Sequence, residues 1–215
     1  MPLSSLLDLL APPICAGCGA HAGAAEPFCA SCRSELRWLR PEPVSSGDPP
    51  LELWAPVAYE GPAQGIVRAL KFRGATGAAS AMAAQIAANA PPGWIAEPAH
   101  LVPVPLHPAR ARKRGYNQAA LLARALADRT ALAVNDCLAR AGPRGTQVGR
   151  DRSQRLDGIA GTVGLKAQRA PPPGRAILID DVITTGATLA ACARALTEAG
   201  ASSVLAIGYA RTPGR

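Results

Sequence analysis

The stretch Ala176-Ile177-Leu178-Ile179-Asp180-Asp181-Val182-Ile183-Thr184-Thr185-Gly186-Ala187-Thr188 decides how the chain is read. The four apolar residues Ala176–Ile179 predict a buried strand. Such a strand delivers its C-terminal end to a sheet edge, where ligands bind in open α/β folds. Two adjacent carboxylates, Asp180 and Asp181, stand at that edge. Thr184-Thr185-Gly186-Ala187-Thr188 follows, directly before a helix expected over Leu189–Ala199 and ended by Gly200. Backbone N–H groups at a helix N-terminus favour anions. Gly186 lets the backbone approach a ligand closely, and the threonine hydroxyls add donors. The cradle contains no Lys, so it is not a P-loop. A strand over Val204–Tyr209 completes a βαβ unit and implies a parallel sheet. The plainer alternative is an Asp-Asp turn followed by a helix with Thr188 as N-cap.

Upstream, Leu101–Val104 reads as a short apolar strand that runs into alternating prolines, Pro103, Pro105 and Pro108. Arg110, Arg112, Lys113 and Arg114 then place four cations in five residues. The run closes on Gly115-Tyr116-Asn117-Gln118 and a helix over Asn117–Ala127. On a mobile loop such a cluster suits pyrophosphate, which carries dense negative charge. Taken alone, it also reads as a solvated basic surface.

Residues 176–188 resemble the phosphoribosyl-pyrophosphate (PRPP) motif of type I phosphoribosyltransferases: an apolar run, an acidic pair and a Thr/Gly loop. The resemblance implies an α/β fold with a parallel, Rossmann-like sheet flanked by helices. It implies that Asp180 and Asp181 hold the ribose 2′- and 3′-hydroxyls. Thr184, Thr185, Gly186, Ala187 and Thr188 would hold the 5′-phosphate. Arg110, Arg112, Lys113 and Arg114 would neutralise pyrophosphate, and Mg²⁺ would accompany it. Purine-salvage transferases carry an Asp before Thr-Gly; Thr184 stands there in this chain, which weighs against purine salvage.

The phrases Val102-Pro103-Val104-Pro105-Leu106-His107 and Arg114-Gly115-Tyr116-Asn117-Gln118 resemble the ComF family of DNA-uptake proteins. Tyr59-Glu60-Gly61, Ala69-Leu70-Lys71-Phe72-Arg73-Gly74, and the spaced Arg140, Thr146, Gln147 and Arg155 are similar to further family phrases. Family members follow that last Arg with Leu-x-Asn. This chain has Leu156-Asp157-Gly158, so the contacts made there are in doubt. The resemblance implies a role in natural transformation, with single-stranded DNA and the competence machinery as partners.

Cys15, Cys18, Cys29 and Cys32 form two Cys-x2-Cys knuckles ten residues apart. Two intervening residues let one tight turn aim both sulfurs at a single ion, and two such turns complete a tetrahedron. In a reducing compartment this spacing reads as zinc. With four protein ligands the site is structural. A module of this size has almost no core of its own, so the metal is expected to supply its folding energy. His21 reads as a surface residue. Cys192 shares a helical face with Leu189 and Leu196, as a small buried hydrophobe would. Cys137 has no partner motif.

The chain has 215 residues, 48% of them hydrophobic, which suits one medium domain and a small appendage. Residues 1–40 are read as an N-terminal helix, Ser4–Leu10, with the ribbon. Residues 41–53, rich in Pro, are read as a linker, and 54–215 as the phosphoribosyltransferase-like domain. Within the last, Trp54–Tyr59 is expected as a strand, Pro62–Phe72 and Ser80–Ala90 as helices, Arg140–Ala160 as irregular and Thr162–Leu165 as a strand. Net charge is +8, and only Lys71, Lys113 and Lys166 among the 23 basic residues are lysines. The arginine excess fits both a GC-rich coding bias and attraction to phosphates. The start lacks a secretory signal pattern and no apolar run approaches a membrane span, so a cytoplasmic location is expected. Two functional readings follow: a PRPP-binding protein, transferase or not, with an unknown acceptor, and a non-enzymatic single-stranded-DNA-binding accessory protein that retains the PRPP site.

Overall fold

The computed structural model describes residues 14–23, 27–46, 50–72, 75–96, 98–140 and 163–213. The helix expected at Ser4–Leu10 and the pattern residues Thr146, Gln147 and Arg155 lie outside them. In chain order the elements begin with helix α1 (Ala30–Ser34) and strands β1 (Val44–Ser46), β2 (Leu51–Trp54) and β3 (Val57–Ala58). Helices α2 (Gly61–Phe72) and α3 (Ala78–Asn89), strand β4 (Ala99–Pro103), and helices α4 (Pro108–Arg114) and α5 (Gln118–Thr130) follow. Strands β5 (Ala133–Val134), β6 (Leu138–Arg140), β7 (Val163–Leu165) and β8 (Arg175–Ile183), helix α6 (Ala187–Glu198) and strand β9 (Ser203–Arg211) complete the described chain.

The main sheet runs β1-β2-β9-β8-β4-β5, with β3 also beside β9. Among the described strands of this sheet β1 pairs with β2 antiparallel, whereas β2, β3, β4, β5, β8 and β9 pair in parallel. β6 and β7 form a separate antiparallel pair. β8 lies between β4 and β9 and is buried on both faces, which is why its sequence is a continuous apolar run rather than an alternating one. Ile177 and Ile179 enter the core that contains Ile66, Met82, Leu122 and Leu126 from α2, α3 and α5. Ala176 and Leu178 enter the opposite core with Leu189, Cys192 and Leu196 of α6 and with Cys137. Burial drives the Cys192 thiol up to about 12, consistent with an inert packing residue.

β8 is longer than the expected Ala176–Ile179. It continues through Asp180 and Asp181 to Ile183, pairing with β9 as far as Arg211, because Val182 and Ile183 are strong strand formers. The expected linker 41–53 also differs. Val44–Ser46 is the edge strand of the sheet and Leu51–Trp54 lies between it and β9, with Leu51, Leu53 and Trp54 buried. The alternation Leu51-Glu52-Leu53 is a strand pattern that the surrounding prolines mask.

The ribbon is part of the body. Cys15, Ala22, Phe28, Cys32 and Leu36 share one continuous core with Val57, Ile66 and Met82. Backbone bonds Leu39 N–H to Pro56 O (2.8 Å) and Ala58 N–H to Arg37 O (2.9 Å) tie the ribbon's exit to β3. On α2, Gly65 packs backbone to backbone on Gly17 of the first knuckle: a Cβ on Gly65 would stand 2.2 Å from Gly17 O. Gly65→Ala is therefore expected to destabilise the protein by about 1–3 kcal/mol through overpacking. Gly77→Ala, whose Cβ would meet nothing within 4 Å, is the control. Urea midpoints that fall equally for both would contradict this docking.

Candidate functional site

Two sites emerge. At the ribbon, the four sulfurs of Cys15, Cys18, Cys29 and Cys32 lie within 4.8 Å of one another, and Cys18 Sγ stands 3.7 Å from Cys29 Sγ. A tetrahedral zinc with Zn–S bonds of about 2.3 Å requires sulfurs about 3.8 Å apart, so the donor set fits that ion. Burial opposes ionisation of Cys15, but backbone N–H groups of Cys18, Cys29 and Gly17 aimed at its sulfur outweigh this and bring it down to about 6. The Cys29 N–H donates to Cys15 Sγ at 3.3 Å. Gly17 is required there, because a Cβ would lie 2.9 Å from Cys32 Sγ. His21 is exposed and outside the cluster.

The second site is a cavity of about 750 Å³ at the C-terminal ends of β4 and β8. Its lining brings together Asp180, Asp181, Thr184 and Thr188 with Arg110, Lys113 and Arg114. Thr185, Gly186, Ala187 and Arg112 do not line it. Gly186 is the N-cap of α6, in the left-handed region at φ 74°, and its carbonyl accepts from Ala190 N–H at 2.9 Å. Thr185 Oγ1 accepts from Ala187 N–H at 3.4 Å. The N-cap is thus Gly186 and not Thr188, whose side chain is left to the cavity.

The basic run is a helix rather than a loop. His107 caps it, Nδ1 accepting from Ala109 N–H at 3.2 Å; Pro108 pre-sets the first turn, and Gly115 in the left-handed region ends it. Arg112 therefore turns away from the cavity that its neighbours line. Arg114 bonds Gln118 Oε1, and its guanidinium lies 5.2 Å from the centre of the Phe72 ring.

Several lining residues were quoted as family phrases without a role: Tyr59, Lys71, Phe72, Tyr116, Gln118 and Arg140. Lys71 at the end of α2 forms an ion pair with Asp181, and Gln118 Nε2 donates to Asp181 Oδ1 at 3.3 Å. Tyr116 O–H donates to Leu70 O, and Asn117 Nδ2 donates to Val104 O at 2.9 Å. Asp180 Oδ1 accepts from Asp181 N–H at 2.8 Å. Burial first, and then the neighbouring Asp181 charge, push the Asp180 carboxyl well above its ordinary value.

A four-cysteine ribbon seated on a parallel α/β sheet, with an acidic pair and a Thr/Gly turn at one strand end, is the class the fold and site define. Residues 6–45 match the double zinc ribbon domain family. Over 116 residues the chain is 34% identical to Competence protein F of Haemophilus influenzae, and is a homologue of it over that stretch, which is 53% of this chain and 51% of that protein. The chain thus spans about half the length of the curated relative it matches. Among solved structures it is similar to the allosteric regulatory enzyme of purine biosynthesis (22% identity, TM-score 0.37, 60% of this chain and 24% of that one). It is also similar to the orotate phosphoribosyltransferase of Aeropyrum pernix (14% identity, TM-score 0.39, 83% of this chain and 81% of that one). Among the described residues no helix is long and apolar enough to cross a membrane.

Purified protein is expected to carry one zinc per chain and to lose it in Cys18→Ser. Metal analysis finding none, or a Cys15–Cys18 disulfide under reducing conditions, contradicts the assignment. A second expectation concerns Asp180, which is faced by Asp181 and Lys71 and is felt by Cys192, itself near Arg140. Its folded carboxyl titrates above the unfolded one at 3.8, so the folded state binds the extra proton. The charge costs stability above the folded value and nothing below 3.8. Asp180→Asn should therefore be more stable than wild type at neutral pH, and the gain should vanish as pH falls toward 3.8. A pH series of urea unfolding curves with a constant or reversed difference would contradict it.

Proposed function

We propose that this protein binds PRPP, as its Mg²⁺ complex, or a related ribose 5-phosphate ligand, and transfers the phosphoribosyl group to an acceptor. The observation that carries the reading is one cavity that gathers an acidic pair, a hydroxyl-bearing turn at a helix start and three cations from another helix. Thr184, Thr188 and the first N–H groups of α6 suit a 5′-phosphate. Asp180 suits a ribose hydroxyl. Arg110, Lys113 and Arg114 suit pyrophosphate. The reaction would break the bond from ribose C1 to a pyrophosphate oxygen, whose electron pair leaves with pyrophosphate, while C1 bonds to the acceptor. The cations would neutralise the charge that develops on the leaving group. When bound with the ligand, Mg²⁺ would be held near the Asp180 carboxylate and would supply further positive charge to the leaving group.

The similarity to Competence protein F supports a role in DNA uptake. A DNA-binding reading is favoured by the net charge of +8 and the exposed basic residues of α4. It predicts salt-sensitive, sequence-tolerant binding of single strands that survives Asp180→Asn.

Calorimetry with PRPP and Mg²⁺ tests the first reading. Asp180→Asn should weaken binding about tenfold, the equivalent of one hydrogen bond of about 1.4 kcal/mol. Gly186→Val should do comparable harm, because a β-branched side chain at φ 74° distorts the turn. No binding to wild type at millimolar PRPP would overturn the reading, and the DNA-binding one would take its place.

A further inference from the structure

We propose that the two carboxylates divide their work: Asp180 faces the ligand, while Asp181 is a positioning residue that holds Lys71 at the cavity as a further cation directed at pyrophosphate. This rests on the phosphoribosyl reading above and assigns roles within it.

The division begins with strand geometry. Successive residues of β8 point to opposite faces. Asp181 follows Ile177 and Ile179 toward α2 and α5, and Asp180 follows Ala176 and Leu178 toward α6. Asp181 is 2% exposed, and both its oxygens are engaged. Oδ1 accepts from Gln118, itself 7% exposed, and Oδ2 is ion-paired with Lys71. Its N–H is taken by Asp180 Oδ1. A ribose hydroxyl competing for Asp181 would have to displace a charge-assisted partner or the buried amide. Asp180 is only half-buried and lines the cavity without such partners.

Lys71 is the residue this arrangement serves. An ammonium has three donors, and Asp181 engages one side of it. The side chain is 22% exposed and lines the cavity. Its neighbour Phe72 lies under Arg114, so the end of α2 meets the basic helix. Pyrophosphate would then meet Lys71 from α2 together with Arg110, Lys113 and Arg114 from α4, all of which line the cavity. Gln118 joins the two sides, accepting from Arg114 and donating to Asp181.

Two ligands separate these roles: PRPP and ribose 5-phosphate, which lacks the pyrophosphate. In calorimetry Lys71→Met should weaken PRPP about tenfold and leave ribose 5-phosphate within about twofold. Asp180→Asn should weaken both. Asp181→Asn should resemble Lys71→Met, and the double variant Lys71→Met/Asp181→Asn should be no worse than either single one. Equal loss of both ligands in Asp181→Asn would mean that Asp181 touches the ribose. No loss in Lys71→Met would mean that Lys71 is only a counter-ion. Either result overturns the proposal. Unfolding of the same variants by urea reads the pair without any ligand: each single change should lower the midpoint and the double should recover most of it. Additive losses would overturn the pairing. If wild type binds neither ligand, the phosphoribosyl reading and the pyrophosphate role of Lys71 fall together, while the unfolding cycle still decides whether Asp181 holds Lys71.

Discussion

A strand buried on both faces can change character only at its end, and β8 does so abruptly. Four apolar residues commit it to two cores, and the next two are carboxylates that must leave those cores on opposite sides. One goes toward α2 and α5, where Lys71 and Gln118 satisfy it. The other faces the opening above α6. A lone buried carboxylate would be costly, and a pair in contact more so. The end of α2 and the starts of α5 and α6 therefore converge on this point, and the cavity is what remains between them.

The ribbon enters the same argument through α2. Its buried cysteines and Phe28 share a core with Ile66 and Val67, and Gly65 accepts the first knuckle at backbone distance. The last turn of that helix supplies Lys71, Phe72 and the Leu70 carbonyl that Tyr116 bonds. A four-cysteine module has too little apolar surface to fold unaided. Sharing a core relieves that shortage. It also makes the ribbon a support for the helix that borders the cavity, so the metal centre is less separable from the α/β body than its sequence spacing suggests.

What could be read in the sequence was local. The thirteen residues from Ala176 to Thr188 contain a strand, a turn and a helix start in one run, and two cysteine knuckles announce themselves by spacing. Both were legible because each is set by residues adjacent in sequence. The helix at Pro108–Arg114 was hidden by its own charges: a cation run suggested a loop, although His107-Pro108 at one end and Gly115 at the other are helix boundary signals. The strands Val44–Ser46 and Leu51–Trp54 are hidden by the prolines around them. Lys71 could not be found at all from local pattern, since its partner Asp181 lies far away along the chain on another element.

The charge arrangement favours an anion without collapsing on itself. Lys71 is ion-paired with Asp181, and its side chain still lines the cavity. Arg114 is held by two neutral groups, the Gln118 amide oxygen and the Phe72 ring, so its positive charge is oriented but not spent on a carboxylate. Arg110 and Lys113 complete a positive face, and the basic residues of the last turn also offset the negative end of their own helix. Burial and the charge of Asp181 both push the Asp180 carboxyl above its ordinary value, so negative charge is less favoured there than on an exposed aspartate. Arg114 is held by partners that an anion need not displace. A charge held in place in this way loses less to reorganisation on meeting an anion than a free surface side chain does.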